Sequence, residues 1–237
     1  MRPTVLNPLF ADVTALKGVG PRLAALVQKA AGPRIVDVLF TRPHGLIDRS
    51  RRPTIADAEI GSINTMEVTV DKHHPAPVKR APYKIICSDE TGFITLVFFH
   101  ARADYLIKTL PEGSKRIISG RVEDYGGARQ MTHPDHVVDP AVDGGLPLFE
   151  PVYPLTAGLP ASVMRKAAQG AIERLPTLDE WQVPAWIAKN KYPSFGDALR
   201  RLHAPQSPAD LSPSAPALLR LAYDELLANQ LALALMR

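Results

Sequence analysis

GFITLVFFHARADYLIKTLPEG, residues 92–113, is the stretch on which the fold turns. Its first eight residues alternate with a period of two, so Ile94, Leu96 and Phe98 share one face, and Phe93, Thr95, Val97 and Phe99 share the other. The spacing predicts a strand whose first set fills a core and whose second set faces outward. The period then lengthens, and ADYLIKTL reads as a short helix ended by Pro111 and Gly113. On either side of this strand and helix the period-two pattern recurs. MEVTV (66–70) and YKIIC (83–87) come before; KRIISGRV (115–122) and RQMTHPDHVV (129–138) come after. Asp89 to Gly92 and the pair Gly126, Gly127 supply turns between neighbours.

Three strands, a helix and two strands is the chain order of an OB-fold, a small five-stranded Greek-key barrel. Its second and third strands, with loops 1-2 and 4-5, are where such barrels commonly hold single-stranded nucleic acid. The barrel is expected over residues 61–140. Ahead of it, residues 1–60 read as a helical N-terminal region of helix, tight turn and helix that resembles a helix-hairpin-helix: in TALKGVGPRLAALVQKAAG, Leu23, Leu26 and Val27 recur at helical steps, Gly18, Gly20 and Pro21 mark the turn, and Gly32 with Pro33 closes the second helix. After it, residues 141–237 form a Pro-rich extended stretch followed by helices near 160–175 and 194–203 and a long terminal one. The predicted class is therefore α+β, with a helical N-terminal segment, a barrel, and a Pro-rich segment with C-terminal helices. The terminal helix is apolar over most of its circumference, through residues such as Leu218, Leu221, Leu226, Leu231 and Leu235, so partners on several faces are expected. The expectation is a chain cut ahead of another domain.

Composition narrows the function. The chain has 237 residues, 28 Lys and Arg against 24 Asp and Glu, and one cysteine. The lone Cys87 excludes an internal disulfide or a multi-cysteine zinc site and reads as a reduced core thiol. His73, His74, His133 and His136 lack cysteine company and fall in different elements, so they read as loop histidines and no metal is expected. The absence of a long apolar run or signal-peptide pattern points to the cytoplasm and away from membranes. The net charge of +4 favours an acidic partner, yet all of the excess lies in residues 1–60, with 9 basic against 5 acidic side chains; residues 61–140 carry 10 of each. DNA affinity in the barrel must then come from local arrangement. Loop 1-2 offers Lys72, Lys79, Arg80 and Lys84; loop 4-5 and its flanks offer Arg121, Tyr125 and Arg129; Arg102 lies between Phe99 and Tyr105. Arg49, Arg51 and Arg52 form a further cluster fitted to duplex DNA or to a neighbouring domain. From the residues alone, Phe99 and Tyr105 read first as packing between barrel and helix and second as stacking surfaces for bases, while the Gly18–Gly20 turn reads equally as a packing turn or a phosphate contact.

The strings LKGVGPRLA (16–24), DVLFTRPHGLIDRS (37–50), the FF pair of LVFFHARADYL, the HP of MTHPDH, PVYPLTAGL (151–159), ALRRLHAP (198–205) and RLAYDELLANQLAL (220–233) resemble, in order and spacing, the N-terminal half of the RecG family of branched-DNA helicases. The resemblance implies a wedge that separates the arms of forks and Holliday junctions in DNA repair and recombination, with Phe99 and Tyr105 stacking on bases at the branch point. The interval between these two aromatics is a couple of residues longer than the family's. It also implies a nucleoid-associated monomer, a motor in cis that binds ATP and Mg²⁺, and a link to the single-strand-binding protein. No G-x-x-x-x-G-K-[ST] loop occurs, so this segment by itself is expected to hold no cofactor and to be no enzyme. The readings from other classes are a free-standing single-strand-binding module and a protein-interaction barrel.

Overall fold

The computed structural model describes residues 3–76, 78, 81–142 and 146–236. In chain order the helices and strands are α1 (Pro21–Ala30), α2 (Ile35–Leu39), β1 (Gly45–Asp48), β2 (Ile63–His74), β3 (Tyr83–Asp89), β4 (Gly92–Phe98), α3 (Ala103–Thr109), β5 (Lys115–Tyr125), β6 (Ala128–Thr132), β7 (His136–Val138), β8 (Phe149–Val152), α4 (Ala161–Glu173), α5 (Pro184–Asn190), α6 (Phe195–His203) and α7 (Pro216–Leu235). They form two compact units, residues 48–148 and residues 1–47 with 149–237.

The first unit is the predicted barrel. β2 pairs with β3 and β3 with β4, both antiparallel; β4 runs parallel to β6, β6 pairs with β5, and β5 returns to β2 from Ile63↔Arg121 to Thr69↔Lys115, which closes the ring. Closure leaves no open edge along these five strands. A bulge at Asp71, between Val70 and Lys72, bends β2 as the barrel curves. Apolar residues at every second position, among them Val68, Val70, Ile85, Leu96, Ile118 and Met131, fill the interior, and Leu106 of α3 and Leu110 just after it plug it. The turn from β5 to β6 has Gly126 and Gly127 at its two central positions, with φ of 64° and 82°; residues with a side chain adopt this backbone only at a cost.

Two expectations needed correction here. The last strand, predicted as 129–138, is two: β6 ends at Thr132 because His133 takes a φ of 46° and Pro134 has no N–H to donate to a ladder. The barrel also begins earlier than residue 61. The strap 53–60 is tied to the β3–β4 turn, where the Asp89 carboxylate accepts from the Ile55 (2.7 Å), Thr91 (2.7 Å) and Gly92 (3.1 Å) N–H groups. Although burial alone would raise it, these bonds hold the Asp89 carboxyl below its ordinary range. Ile55 and Ala58 of the strap are buried with the barrel core.

The regions read separately as 1–60 and 141–237 belong mostly to one helical unit, since residues 1–47 share a core with 149–237. Val13, Val27, Ile35 and Val38 from the N-terminal part pack in a single cluster with Met164, Ala167 and Ala171 of α4. The pair β1–β8 and the helices α2 and α5 were not foreseen, and the helix expected ahead of the Gly18 turn is two 3-10 segments, Thr4–Phe10, which contains Pro8, and Val13–Ala15. A buried histidine helps lock the unit. His203 Nε2 donates to the Leu39 carbonyl (2.8 Å), so Nδ1 is the lone-pair nitrogen and accepts from the Tyr153 hydroxyl (2.7 Å). Arg220 of α7 is fully buried and donates Nε to Asp224 (2.7 Å) and two terminal nitrogens to the Glu180 carboxylate (2.9 and 2.7 Å). That fork holds the Glu180 carboxyl below its usual range. Beyond this network Leu226, Leu231, Leu233 and Leu235 are exposed. No helix among the described residues is long and apolar enough to cross a membrane.

Candidate nucleic-acid interface

The far end of β4 from its hairpin carries the aromatic and cationic groups singled out in the sequence. Register fixes which way each residue faces. Ile94 and Leu96 point into the barrel, and Phe93 and Thr95 point out, as the alternation predicts. Val97 was expected outside yet is buried, because its cross-strand partners Lys84 on β3 and Thr132 on β6 flank it on the same face. Phe98 lies at the margin of the core, half-buried. Phe99 follows the last residue of the strand and is 45% exposed, so its ring is not sealed inside. His100 then reverses the chain at a φ of 55°, and α3 starts three residues later.

That reversal brings the candidates together. Phe99, Arg102 and Tyr105 line one cleft with Phe98, Lys108 and His133. Arg102 is the N-cap of α3, its carbonyl accepting from the Tyr105 (3.1 Å) and Leu106 (3.2 Å) N–H groups, so its side chain leaves the helix start beside the aromatics. Tyr105, in the first turn, is 65% exposed. Two exposed rings with two cations alongside offer flat apolar faces and positive charge in one place, the pairing a single strand of nucleic acid needs. A larger cleft in the helical unit, about 810 Å³, is walled by Phe40, Arg42, Trp181, Phe195 and the leucines of α7; its single cation is outnumbered by the carboxylates of Asp224 and Glu225, a charge balance that does not suit a phosphate backbone, and it is not the candidate.

The loop cations divide. Lys72 and Lys84 are strand residues, not loop residues; pairing of Lys72 with Ile86 and of His74 with Lys84 sets both on the outer face, exposed, towards the Phe99 end. Lys79 and Arg80 lie outside the described residues. Arg121 is exposed, opposite Ile63. Arg129 is not an open cation: it is half-buried, and Nη2 donates to the Ala56 carbonyl of the strap (2.6 Å). It sits opposite Ile94, at the hairpin end of β4 with Tyr125 and Gly126, so the two loops approach the outer face from opposite ends. The arginine cluster is split as well, with Arg51 and Arg52 exposed and Arg49 buried, its Nε donating to Ser119 Oγ (2.9 Å). In the helical unit, Gly18 has a φ of 82° and Gly20 caps α1 in ordinary extended backbone; a Cβ added at either would meet nothing within 4 Å.

The histidines are more than loop residues. His73 lies in β2, with Nε2 donating to the Leu110 carbonyl (2.7 Å) and Nδ1 accepting from the Tyr83 hydroxyl (2.9 Å), which pins the end of α3 to the barrel. His133 belongs to the interface, and sequence reasoning missed it together with Lys108. Periodicity gives no sign of either, since one follows a strand's end and the other stands on an exposed helical face. Cys87 is buried and unpaired, and burial pushes its thiol up to about 12.

Comparison with known proteins places this geometry. A family described as an OB-fold nucleic acid binding domain matches residues 79–138. The ATP-dependent DNA helicase RecG of Acidithiobacillus ferridurans is 28% identical over 97% of this chain and 33% of its own length, and that of Haemophilus influenzae is 29% identical over 93% and 33%. The chain thus spans about a third of the length of these relatives. A solved structure of RecG bound to a three-way DNA junction superposes with a TM-score of 0.77 at 26% identity, covering 94% of this chain and 31% of that one. Over nearly the whole of its length, this chain is homologous to the N-terminal, OB-fold-bearing region of RecG.

Proposed function

We propose that the chain binds branched DNA and keeps its strands apart at the branch point, as the wedge part of a RecG-like ATP-dependent helicase that acts in repair, recombination and the processing of stalled forks and Holliday junctions. The observation that carries this reading is the cleft at the end of β4, where Phe99 and Tyr105 stand exposed beside Arg102 and Lys108. An unpaired base leaving a duplex loses its stacking neighbour, and an aromatic face returns about 1–3 kcal/mol per base. Phe99 is the principal stacking residue and Tyr105 the second. Lys72, Lys84, Arg102 and Arg121 contact phosphates, and Lys79 and Arg80, between the first two in sequence, add to them. The turn at Gly18 and Gly20 offers backbone N–H groups to a duplex arm. ATP hydrolysis with Mg²⁺ belongs to a motor in the complete protein, and the single-strand-binding protein is a candidate partner of the barrel.

A gel-shift series with a three-way junction, duplex and single strand of matched sequence tests this. Phe99→Ala should lower junction affinity about tenfold while leaving duplex affinity within about twofold. Equal losses on junction and duplex would sink the wedge. Tightest binding to plain single strand would favour a free-standing single-strand module. Retained binding to the single-strand-binding protein with no junction preference would favour a protein-interaction barrel. Junction affinity should also fall steeply with added salt.

A further inference from the structure

The wedge reading leaves open what holds Phe99 in position, since the residue is exposed and lies one position beyond the end of its strand. The answer is across the break between β6 and β7. His133 takes a φ of 46°, a left-handed backbone that costs energy for any residue with a side chain. Two bonds follow from that conformation. The His133 N–H donates to the Val97 carbonyl (2.9 Å), and the Phe99 N–H donates to His133 Nε2 (3.1 Å). The segment 97–99 is thus gripped at both ends by one residue. The imidazole also lies 5.8 Å from the Phe99 ring at a tilt of 39°, and 6.0 Å from the Phe98 ring, edge-on at 88°. Because the Phe99 amide can only donate, Nε2 is the unprotonated nitrogen in this arrangement. Pro134 directly afterwards ends the ladder and leaves the ring free to turn towards β4.

We infer that His133 is the positioning residue of the wedge: its imidazole fixes the backbone and ring of Phe99 in the pose that meets the unstacked base, through an acceptor nitrogen that a purely apolar neighbour could not supply. This rests on the reading of Phe99 as the stacking residue. It adds that the ring is useful only while clamped, because an unclamped ring must be ordered at each encounter and the cost is subtracted from the stacking gain.

The test uses the full chain, the same three-way junction and duplex, and three substitutions that separate acceptor from ring. His133→Ala removes both, His133→Phe keeps a ring without an acceptor, and His133→Gln keeps an acceptor at similar reach. Loss of the clamp should lower junction affinity roughly fivefold to tenfold in the Ala and Phe variants, with Gln within about threefold of the parent. Duplex affinity and the thermal midpoint should stay close to the parent's. In a Phe99→Ala background none of the three should have a further effect, because there is no ring left to position. If Phe99→Ala itself spares junction binding, the wedge reading fails and this inference with it. If Phe99→Ala costs junction binding but His133→Ala does not, the inference alone fails. Rescue by Phe in place of Gln, equal losses on duplex, or an added loss in the Phe99→Ala background would each overturn it, assigning His133 respectively to ring packing, to the fold, or to direct DNA contact.

Discussion

Arg220 in the helical unit and Phe99 in the barrel unit are both held by hydrogen bonds, yet the two arrangements have opposite consequences. Arg220 is fully enclosed, with every bond directed at a neighbour that is itself fixed: Asp224, Glu180 and the Pro193 carbonyl (3.1 Å), under the Trp181 ring at 5.5 Å. Phe99 is secured through its backbone and remains exposed to solvent. A buried network of the first kind couples the elements that supply its members, so removing one member leaves the others without their opposite charge. A surface clamp of the second kind adds little to stability and instead reserves an apolar face for something outside the chain. The contrast separates residues whose loss should be felt in unfolding from those whose loss should be felt in binding.

Arg220→Ala should be the heaviest blow. It leaves the Asp224 and Glu180 carboxylates with only the neutral donors of Trp181 and Gln182 and should cost the helical unit about 3 kcal/mol. Both tryptophans, Trp181 and Trp186, lie in that unit, so urea unfolding followed by tryptophan fluorescence reads it without interference from the barrel. A cost under about 1 kcal/mol would mean that the network is decoration, and the contrast would collapse. Next in size is the pair Tyr105→Ala and Phe93→Ala. Both rings are widely exposed, but Phe93 stands at the hairpin end of β4 and Tyr105 in the cleft with Phe99. Tyr105→Ala should weaken junction binding by about 1 kcal/mol and Phe93→Ala by nothing measurable in the same gel shift. Equal effects would show that exposure, not placement, decides. Within the α1 turn, Gly18→Ala should cost about 1 kcal/mol because of its φ of 82°, while Gly20→Ala should cost no more than about 0.5 kcal/mol. A loss of duplex affinity confined to Gly20→Ala would support a phosphate approach there.

The smallest effect is set by pH. Burial holds the His203 imidazole below its ordinary value of 6.5, partly offset by the bond to the Leu39 carbonyl. The folded chain therefore resists a proton that the unfolded chain accepts. The contribution of His203 to stability is complete above about pH 6.5 and declines as pH falls from there towards the lower folded value. Urea midpoints from tryptophan fluorescence should decrease over that interval, and His203→Gln should flatten this part of the profile. A midpoint that rises on acidification would contradict the assigned neutral form.

The parts of this architecture that were legible in advance are those in which one residue's role is set by its near neighbours. The alternation of Ile94, Leu96 and Phe98, the Gly126–Gly127 turn and the length of α3 are all local, and they sufficed for the barrel. Phe99 and Tyr105 were singled out by the family resemblance of the FF pair and the residues after it; the residues alone allowed them to be packing between barrel and helix. What stayed hidden is non-local. Nothing within residues 1–47 announces that Val13 and Val27 share a core with Met164 and Ala167, or that β1 pairs with β8. The strap at 53–60 has no periodic pattern, since it is held by side-chain bonds to Asp89 and not by a ladder. Arg129 looked like an open cation because its acceptor, the Ala56 carbonyl, is a backbone atom 73 residues away. His133 was hidden twice over, by a rare backbone conformation and by a ring nitrogen bonded to another segment's amide.

Cys87 gives the barrel its own reporter. The thiol lies on β3, between β2 and β4, paired with Val70 on one side and Ile94 on the other. Reagents cannot reach it while those ladders stand, and a thiol pushed up to about 12 is almost wholly protonated near neutrality. Alkylation can then proceed only at the frequency with which β3 peels away and the sulfur regains its ordinary acidity. The rate of maleimide addition would therefore report how often the ring opens, at a native residue and independently of the tryptophan signal.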